Sequence, residues 1–106
     1  NRRVYAAWET KNHVYVKDML SKAPARKVSS SSKNGKYPSL AINAKGDRLT
    51  TWSTETGWGK GGYIQFQVTN RDGILTAKSD RPKHFPAAYS FSSACALPTG
   101  NFVVFY

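Results

Sequence analysis

The stretch Ser39-Leu-Ala-Ile-Asn-Ala-Lys-Gly46-Asp47 occurs twice in this chain, the second time altered to Ser93-Ala-Cys-Ala-Leu-Pro-Thr-Gly100-Asn101. Each copy runs into a strand-like segment that ends on an aromatic, Arg48-Leu-Thr-Thr-Trp52 and Phe102-Val-Val-Phe-Tyr106. A third copy opens the chain without its first half, where Arg3-Val-Tyr-Ala-Ala-Trp8 stands in the place of residues 47–52. The anchor aromatics fall at positions 8, 52 and 106, 44 and then 54 residues apart. Self-similarity at such a period marks units that bury their apolar faces against one another, propeller blades above all.

Outward from the repeat, strand chemistry dominates. Val4 to Thr10 is rich in β-formers, and His13 to Lys17 alternates with Val14 and Val16 on one face. The short polar Lys11-Asn12 between them predicts a tight hairpin. Ser21 to Lys36 reads as loop, with a short edge strand at Arg26 to Ser29. Ser39 to Ile42 and Arg48 to Ser53 form a second hairpin about Asn43-Ala-Lys-Gly46, where Asn first and Gly last suit a type I turn closed by a left-handed residue. Gly62 to Thr69 puts Ile64, Phe66 and Val68 on one face and Tyr63, Gln65 and Gln67 on the other. Asn70-Arg-Asp-Gly73 is a further turn, followed by a strand at Ile74 to Thr76. Arg81-Pro-Lys-His-Phe-Pro86 is expected to lack regular structure because of its prolines. A last hairpin comprises Ser90 to Ala96 and Phe102 to Tyr106.

Short strands with regular turn signals and no amphipathic helix predict an all-β class. With A the Ser39 strand and B the Trp52 strand, the order is B-C-D, A-B-C-D, A-B. That is about two antiparallel propeller-type blades, permuted at both ends, in one all-β domain or propeller segment over residues 1–106. The copies span 1–36, 37–88 and 89–106. A first B strand without its A partner exposes an edge that must be covered. The expectation is closure by association, with copies of itself or with the rest of a larger propeller. Trp8, Trp52 and Tyr106, at equivalent positions, read as packing anchors between sheets.

The formal net charge of +10, from 16 basic and 6 acidic residues, favours anionic partners. The basic residues are sprinkled through turns and linkers rather than packed into one tract. The single cysteine, Cys95, excludes an internal disulfide and a cysteine-based metal site, and its alternating surroundings read as core. No apolar run approaches the length that crosses a bilayer, so no transmembrane segment is expected. Neither a cofactor nor a metal site is expected, since the six acidic residues form no carboxylate pair or metal loop.

From Tyr37-Pro-Ser-Leu-Ala-Ile-Asn-Ala-Lys-Gly-Asp-Arg-Leu-Thr-Thr-Trp52 through Trp58-Gly-Lys-Gly-Gly62 to Val68, the chain resembles blades of bacterial sialidase-like BNR-repeat propellers. The likeness recurs more weakly at Ser93 to Tyr106. The resemblance implies a six-bladed propeller, an extracytoplasmic (secreted or cell-envelope) setting and glycan-related function. It transfers no catalytic residue. The Asp-box is absent in its usual form, no Arg-Ile-Pro motif is present, and no arginine matches a triad position.

The candidate ligand site is Glu55-Thr-Gly-Trp-Gly-Lys-Gly-Gly62. Trp8 lies 6 residues before Val14, whereas Trp52 lies 12 before Ile64, so six residues have been added here. The insertion carries Trp58 between glycines, with Glu55 and Lys60 near and Gln65 on the polar face of the next strand. An indole on such a loop either stacks on a sugar's apolar face or a base, or folds back as a plug between blades. The first reading is therefore a non-catalytic binding or scaffold element that meets a glycan through this loop. An enzyme is the alternative, either a degenerate glycoside hydrolase fragment or a small nuclease using Glu9 and His13, which are close in a tight hairpin. A basic polyanion-binding module is the third reading. The better reading of both imidazoles, His13 and His84, the latter in a Pro-bounded loop, is as surface residues.

Overall fold

The computed structural model describes residues 3–30, 33–79, 83–84 and 91–106. Its regular elements are all strands. The first sheet holds β1 (Tyr5–Thr10), β2 (His13–Asp18) and β3 (Arg26–Lys27) in the order β1-β2-β3. The central sheet runs β4 (Gly35–Ile42), β5 (Arg48–Thr54), β6 (Tyr63–Thr69) and β7 (Leu75–Lys78), with β8 (Lys83–His84) also paired to β6. The third sheet is the hairpin of β9 (Ser93–Ala96) and β10 (Phe102–Phe105). All pairings are antiparallel, and no sheet closes on itself among the described residues.

The repeat holds at the level of hydrogen-bond register. In the central sheet Ser39, Leu40, Ala41 and Ile42 face Thr51, Thr50, Leu49 and Arg48. Residues 54 further on, Ser93, Ala94, Cys95 and Ala96 face Phe105, Val104, Val103 and Phe102 in the same register. Likewise Trp8 stands opposite Tyr15, and Trp52 opposite Gln65. The partners are offset by the six inserted residues, which leaves Val14 equivalent to Ile64.

Turn chemistry accounts for the hairpins. Lys11 and Asn12 both take positive φ (48° and 63°), the type I′ geometry whose twist matches two flanking strands. At Asn43 the amide donates to the Asp47 carbonyl (3.0 Å) and the Gly46 amide to the Asn43 carbonyl (3.0 Å), with Gly46 at φ 87°. The pattern recurs at Asn70–Gly73 and Leu97–Gly100, so one turn type occurs at residues 43, 70 and 97, at 27-residue intervals. Gly46, Gly73 and Gly100 supply the left-handed residue that closes each turn.

The three sheets stack in one direction. Alternation places Val14 and Val16 on one face of the first sheet, where they are buried against the central sheet. There they meet the face that carries Trp52, Thr54, Gln65 and Gln67. Gln67 Nε2 donates to the Val28 carbonyl (3.1 Å), and the Val14 amide to Ser29 Oγ (2.9 Å). The opposite face of the central sheet, with Thr51, Leu49 and Ala41, packs on the third sheet. Ser92 Oγ donates to Thr51 Oγ1 (2.9 Å) and the Ala94 amide to Ser39 Oγ (2.9 Å). Strand β5 is consequently buried on both faces from Leu49 to Thr54. Its threonines and serines fit an interior joined by hydrogen bonds as well as apolar contact, since buried polar groups persist only where they are paired.

Several expectations are corrected. Cys95 is exposed: Ala41, its equivalent, is covered by the third sheet, and no described sheet covers the third in turn. The anchor aromatics are unequal for the same reason. Trp52 is 5% exposed within the stack, Trp8 is half-buried over the Tyr15 ring (6.0 Å between centroids), and Tyr106 is 68% exposed past the end of β10. Gly35–Pro38 extends β4 rather than a loop. It does so through a register shift between Lys36 and Ser39, with Tyr37 at φ 54°, and a bulge on an edge strand tolerates Pro38. Lys83 and His84, between the two prolines, keep their amides and pair with Ile64 and Tyr63. The remainder of 80–90, including Ser90 at the expected start of the last hairpin, lies outside the described residues, as does the His84 side chain.

Candidate functional site

The six-residue insertion lies at the end of the central sheet where β5 passes into β6. Its two stems are constrained and its tip is not. Glu55 takes a positive φ of 57°, a conformation that costs a side-chain-bearing residue energy and that its surroundings must impose. Gly62 takes φ 73°, and a Cβ there would overlap the Thr54 carbonyl oxygen and lie 2.6 Å from the Thr56 amide nitrogen. Only glycine lets the returning chain pass so close to the departing one. Between the stems, Gly57 and Lys60 exchange amide hydrogen bonds (3.1 Å each) about a two-residue tip, Trp58-Gly59, with Gly59 at φ 71°. The Thr56 hydroxyl donates to the Lys60 carbonyl (3.3 Å) and braces the turn.

This geometry turns the indole outward. Trp58 is 87% exposed, the highest among the described large hydrophobic side chains, so it is no plug between sheets here. It borders an open cleft of about 710 Å³, together with Asn34, Glu55, Lys60 and Tyr63. The Glu55 carboxylate is 3.6 Å from Lys33 Nζ, which also lies 5.9 Å from the centre of the Tyr63 ring. Both charged side chains are about half exposed (47% and 45%), so the pair orients the groups more than it stabilises the fold. One rim thus presents an aromatic plane, a carboxylate and the Lys60 ammonium, with Lys33 beside the carboxylate.

Gln65 is not among the groups on this rim. Its Oε1 accepts a hydrogen bond from Ser79 Oγ (2.5 Å), and it faces a separate cleft of about 210 Å³ between the first and central sheets. Trp52, Gln67 and Lys33 line the same cleft. At Gln65 and Gln67 the polar face of β6 is therefore an interlayer surface rather than a solvated one, because the segment Val28–Ser30 after β3 lies over it.

The acid–base pair considered for a nuclease does not form. Directly opposed residues share a face of a β-ladder, so Thr10 and His13 lie on one side of the hairpin and Glu9 and Val14 on the other. His13, expected at the surface, is half-buried, and its Nδ1 is buried without a hydrogen-bond partner among the described residues. Among the described residues no group of three or more His, Cys, Asp or Glu side chains is arranged to hold a metal, and no helix is long and apolar enough to cross a membrane.

Sequence reasoning missed a second cluster at the opposite end of the central sheet. There Arg3 Nη1 donates to Tyr5 Oη and to the Arg71 carbonyl (3.1 Å each), and Arg26 Nη1 donates to the Gly73 carbonyl (3.1 Å). The Arg48 guanidinium lies 4.3 Å from the centre of the Tyr5 ring, a cation–π contact. The hydrogen bond and electrostatic contact with Tyr5 raise the Arg3 guanidinium above its ordinary pKa; desolvation opposes this, and Asp18 and Asp72 add the smallest contributions. It stays cationic wherever the protein is folded. The only advance signal of this cluster was the recurring four-residue turn, which brings residues 45, 48 and 71 to one end. Comparison with protein-family models, with curated proteins and with solved structures finds no match to this chain.

Proposed function

We propose that the chain is a non-catalytic binding element, a segment of a propeller-type β-stack, that holds a neutral or weakly charged glycan at the Trp58 cleft. The observation that carries this reading is the outward indole of Trp58 at the mouth of a cleft flanked by Glu55 and Lys60. A sugar offers an apolar ring face to stack on an indole and equatorial hydroxyls to bond to a carboxylate and an ammonium. The loop is an addition to an otherwise repeated hairpin, so it serves no need of the stack itself.

The propeller part of the proposal rests on the direction of stacking. Each internal junction buries the Val14- or Leu49-bearing face of one sheet against the Trp52- or Ala94-bearing face of the next. Among the described residues two faces of these kinds are left at the ends of the stack, one bearing Trp8 and Tyr15, the other bearing Val103 and Phe105. A further sheet added by the same rule at either end continues the series, supplied by a second copy or by additional chain. The two-stranded sheet β9-β10 packs on the central sheet through one face, and among the described residues its other face is uncovered, which supports completion by a partner. An extracytoplasmic setting accords with a glycan ligand.

Two measurements test this. On a glycan array Trp58→Ala is expected to abolish binding while the melting temperature moves by less than about 2 °C, as for a side chain that packs on nothing. Unchanged binding removes the loop from the site. Light scattering of the purified chain is expected to give an oligomer, and a well-folded monomer defeats completion by self-association.

A further inference from the structure

The cationic end of the central sheet contains a cleft of about 250 Å³ lined by Arg3, Tyr5, Asn43, Lys45, Gly46 and Arg71. Three of its lining side chains are basic and none is acidic. An adjoining cleft of about 410 Å³ shares Arg3, Tyr5 and Arg71 and adds Lys17 and Arg48, facing Asp18 and Asp72. The two together gather five cations against two carboxylates from segments far apart in sequence.

The arrangement is built rather than incidental. Arg3 is fixed by its hydrogen bonds to Tyr5 Oη and the Arg71 carbonyl, and the Tyr5 ring is fixed beneath Arg48. The turns that carry Lys45 and Arg71 abut, since a Cβ on Gly46 would lie 3.0 Å from Arg71 Cβ. Asn43 ties the same turn to the third sheet through the Gly100 carbonyl (2.8 Å). The nearest carboxylate on this turn, Asp47, is held by Asn43 Nδ2 (3.1 Å), and Asp18 accepts the Leu20 amide (3.0 Å). Among the described residues neither Lys45 nor Arg71 has an ion-pair partner. Like charges collected in excess of their counter-charges attract an anion, and a concave wall focuses that field.

We propose that this cleft binds one tetrahedral oxyanion, the phosphate or sulfate group of a small ester whose remainder extends into the adjoining cleft. Guanidinium forks match such oxygens in pairs, and Lys45 adds a point charge. The volume is below that of pockets for drug-sized ligands and suits a single charged group. The site is separate from the Trp58 cleft: the length of β5 lies between them, roughly 23 Å for its seven residues at ~3.3 Å each.

The test is an amide ¹H–¹⁵N titration of the chain with inorganic phosphate at low ionic strength, with sodium chloride at matched ionic strength as control. Saturable shifts are expected at Tyr5, Lys45, Gly46 and Arg71, with Gly57 to Gly62 unmoved. Lys45→Gln and Arg71→Gln, both at exposed positions, are each expected to weaken binding about tenfold, as for loss of one charge-assisted contact. Glucose 6-phosphate, glucose 6-sulfate and glucose then separate the sources. Binding of either ester but not of glucose supports the site, and the tighter ester identifies the group. Shifts that do not saturate, that chloride reproduces, that scatter over the other basic residues, or that persist in both variants overturn the proposal and leave only a diffuse ion atmosphere.

Discussion

The two ends of the central sheet are built on opposite principles. At one end the chain turns by the same four-residue device at Asn43, Asn70 and Leu97, and these turns are tied to one another by Asn43 and to the first sheet and the residues before it by Arg26 and Arg3. At the other end an insertion without a counterpart in the first hairpin projects Trp58 away from the body. At Gly57 and Gly59 an added Cβ would meet nothing within 4 Å, whereas at Gly62 it would strike backbone. One end therefore derives its form from mutual contact. The other derives it from a single pinched stem. Repetition conserves packing, and the departure from repetition frees a side chain to meet something outside.

The sharpest way to break this contrast is at the pinch. Gly62→Ala places a Cβ against the Thr54 and Thr56 backbone and demands a left-handed alanine. A loss of about 3 kcal/mol is expected, from overpacking plus backbone strain. Gly59→Ala is the control at the open tip and is expected to cost only about 1 kcal/mol, the left-handed penalty alone. Urea denaturation measures both, and equal losses would show that the loop has no single stem constraint.

Next in size comes the tied end. Asn43 is buried, and its side chain donates to Asp47 and to the Gly100 carbonyl and accepts the amides of Lys45 and Asp47. Asn70 caps its own turn alone, accepting the amides of Asp72 and Ile74. Asn43→Ala is expected to cost about 2 kcal/mol and Asn70→Ala about 1 kcal/mol, because only the first leaves a second turn unpaired. If the two cost the same, the cross-link through Gly100 contributes nothing and the turns stand independently. Smallest of all is the expected effect of Trp58→Ala on stability, against the complete loss of binding expected if the proposed glycan site is right.

Much of the fold was legible because hairpins are local. Lys11-Asn12 and Asn43-Ala-Lys-Gly46 announce their turns, and the alternation of Ile64, Phe66 and Val68 announces a strand whatever lies across from it. The irregular stretches were less legible for physical reasons. Tyr37-Pro38 joins β4 through a bulge, and Lys83-His84 pairs only because β6 offers an open edge. The candidate site divides in the same way. Trp58, Glu55 and Lys60 share one loop and were found from the insertion. Gln65 is near them in sequence, but alternation and the cover of Val28–Ser30 send it to an interlayer cleft.

The sequence by itself determined the all-β class, the hairpins, the repeat and the loop that departs from it, since turn preference, side-chain alternation and period act within a few residues. Only the tertiary structure decided which face of each sheet is covered, and so why Ala41 is buried and Cys95 is not, and why Trp52 packs while Tyr106 stands in solvent. It also decided that Arg3, Lys45 and Arg71 meet at one cleft. Charges scattered along a chain carry no record of the distances between them, and stacking alone brings them together.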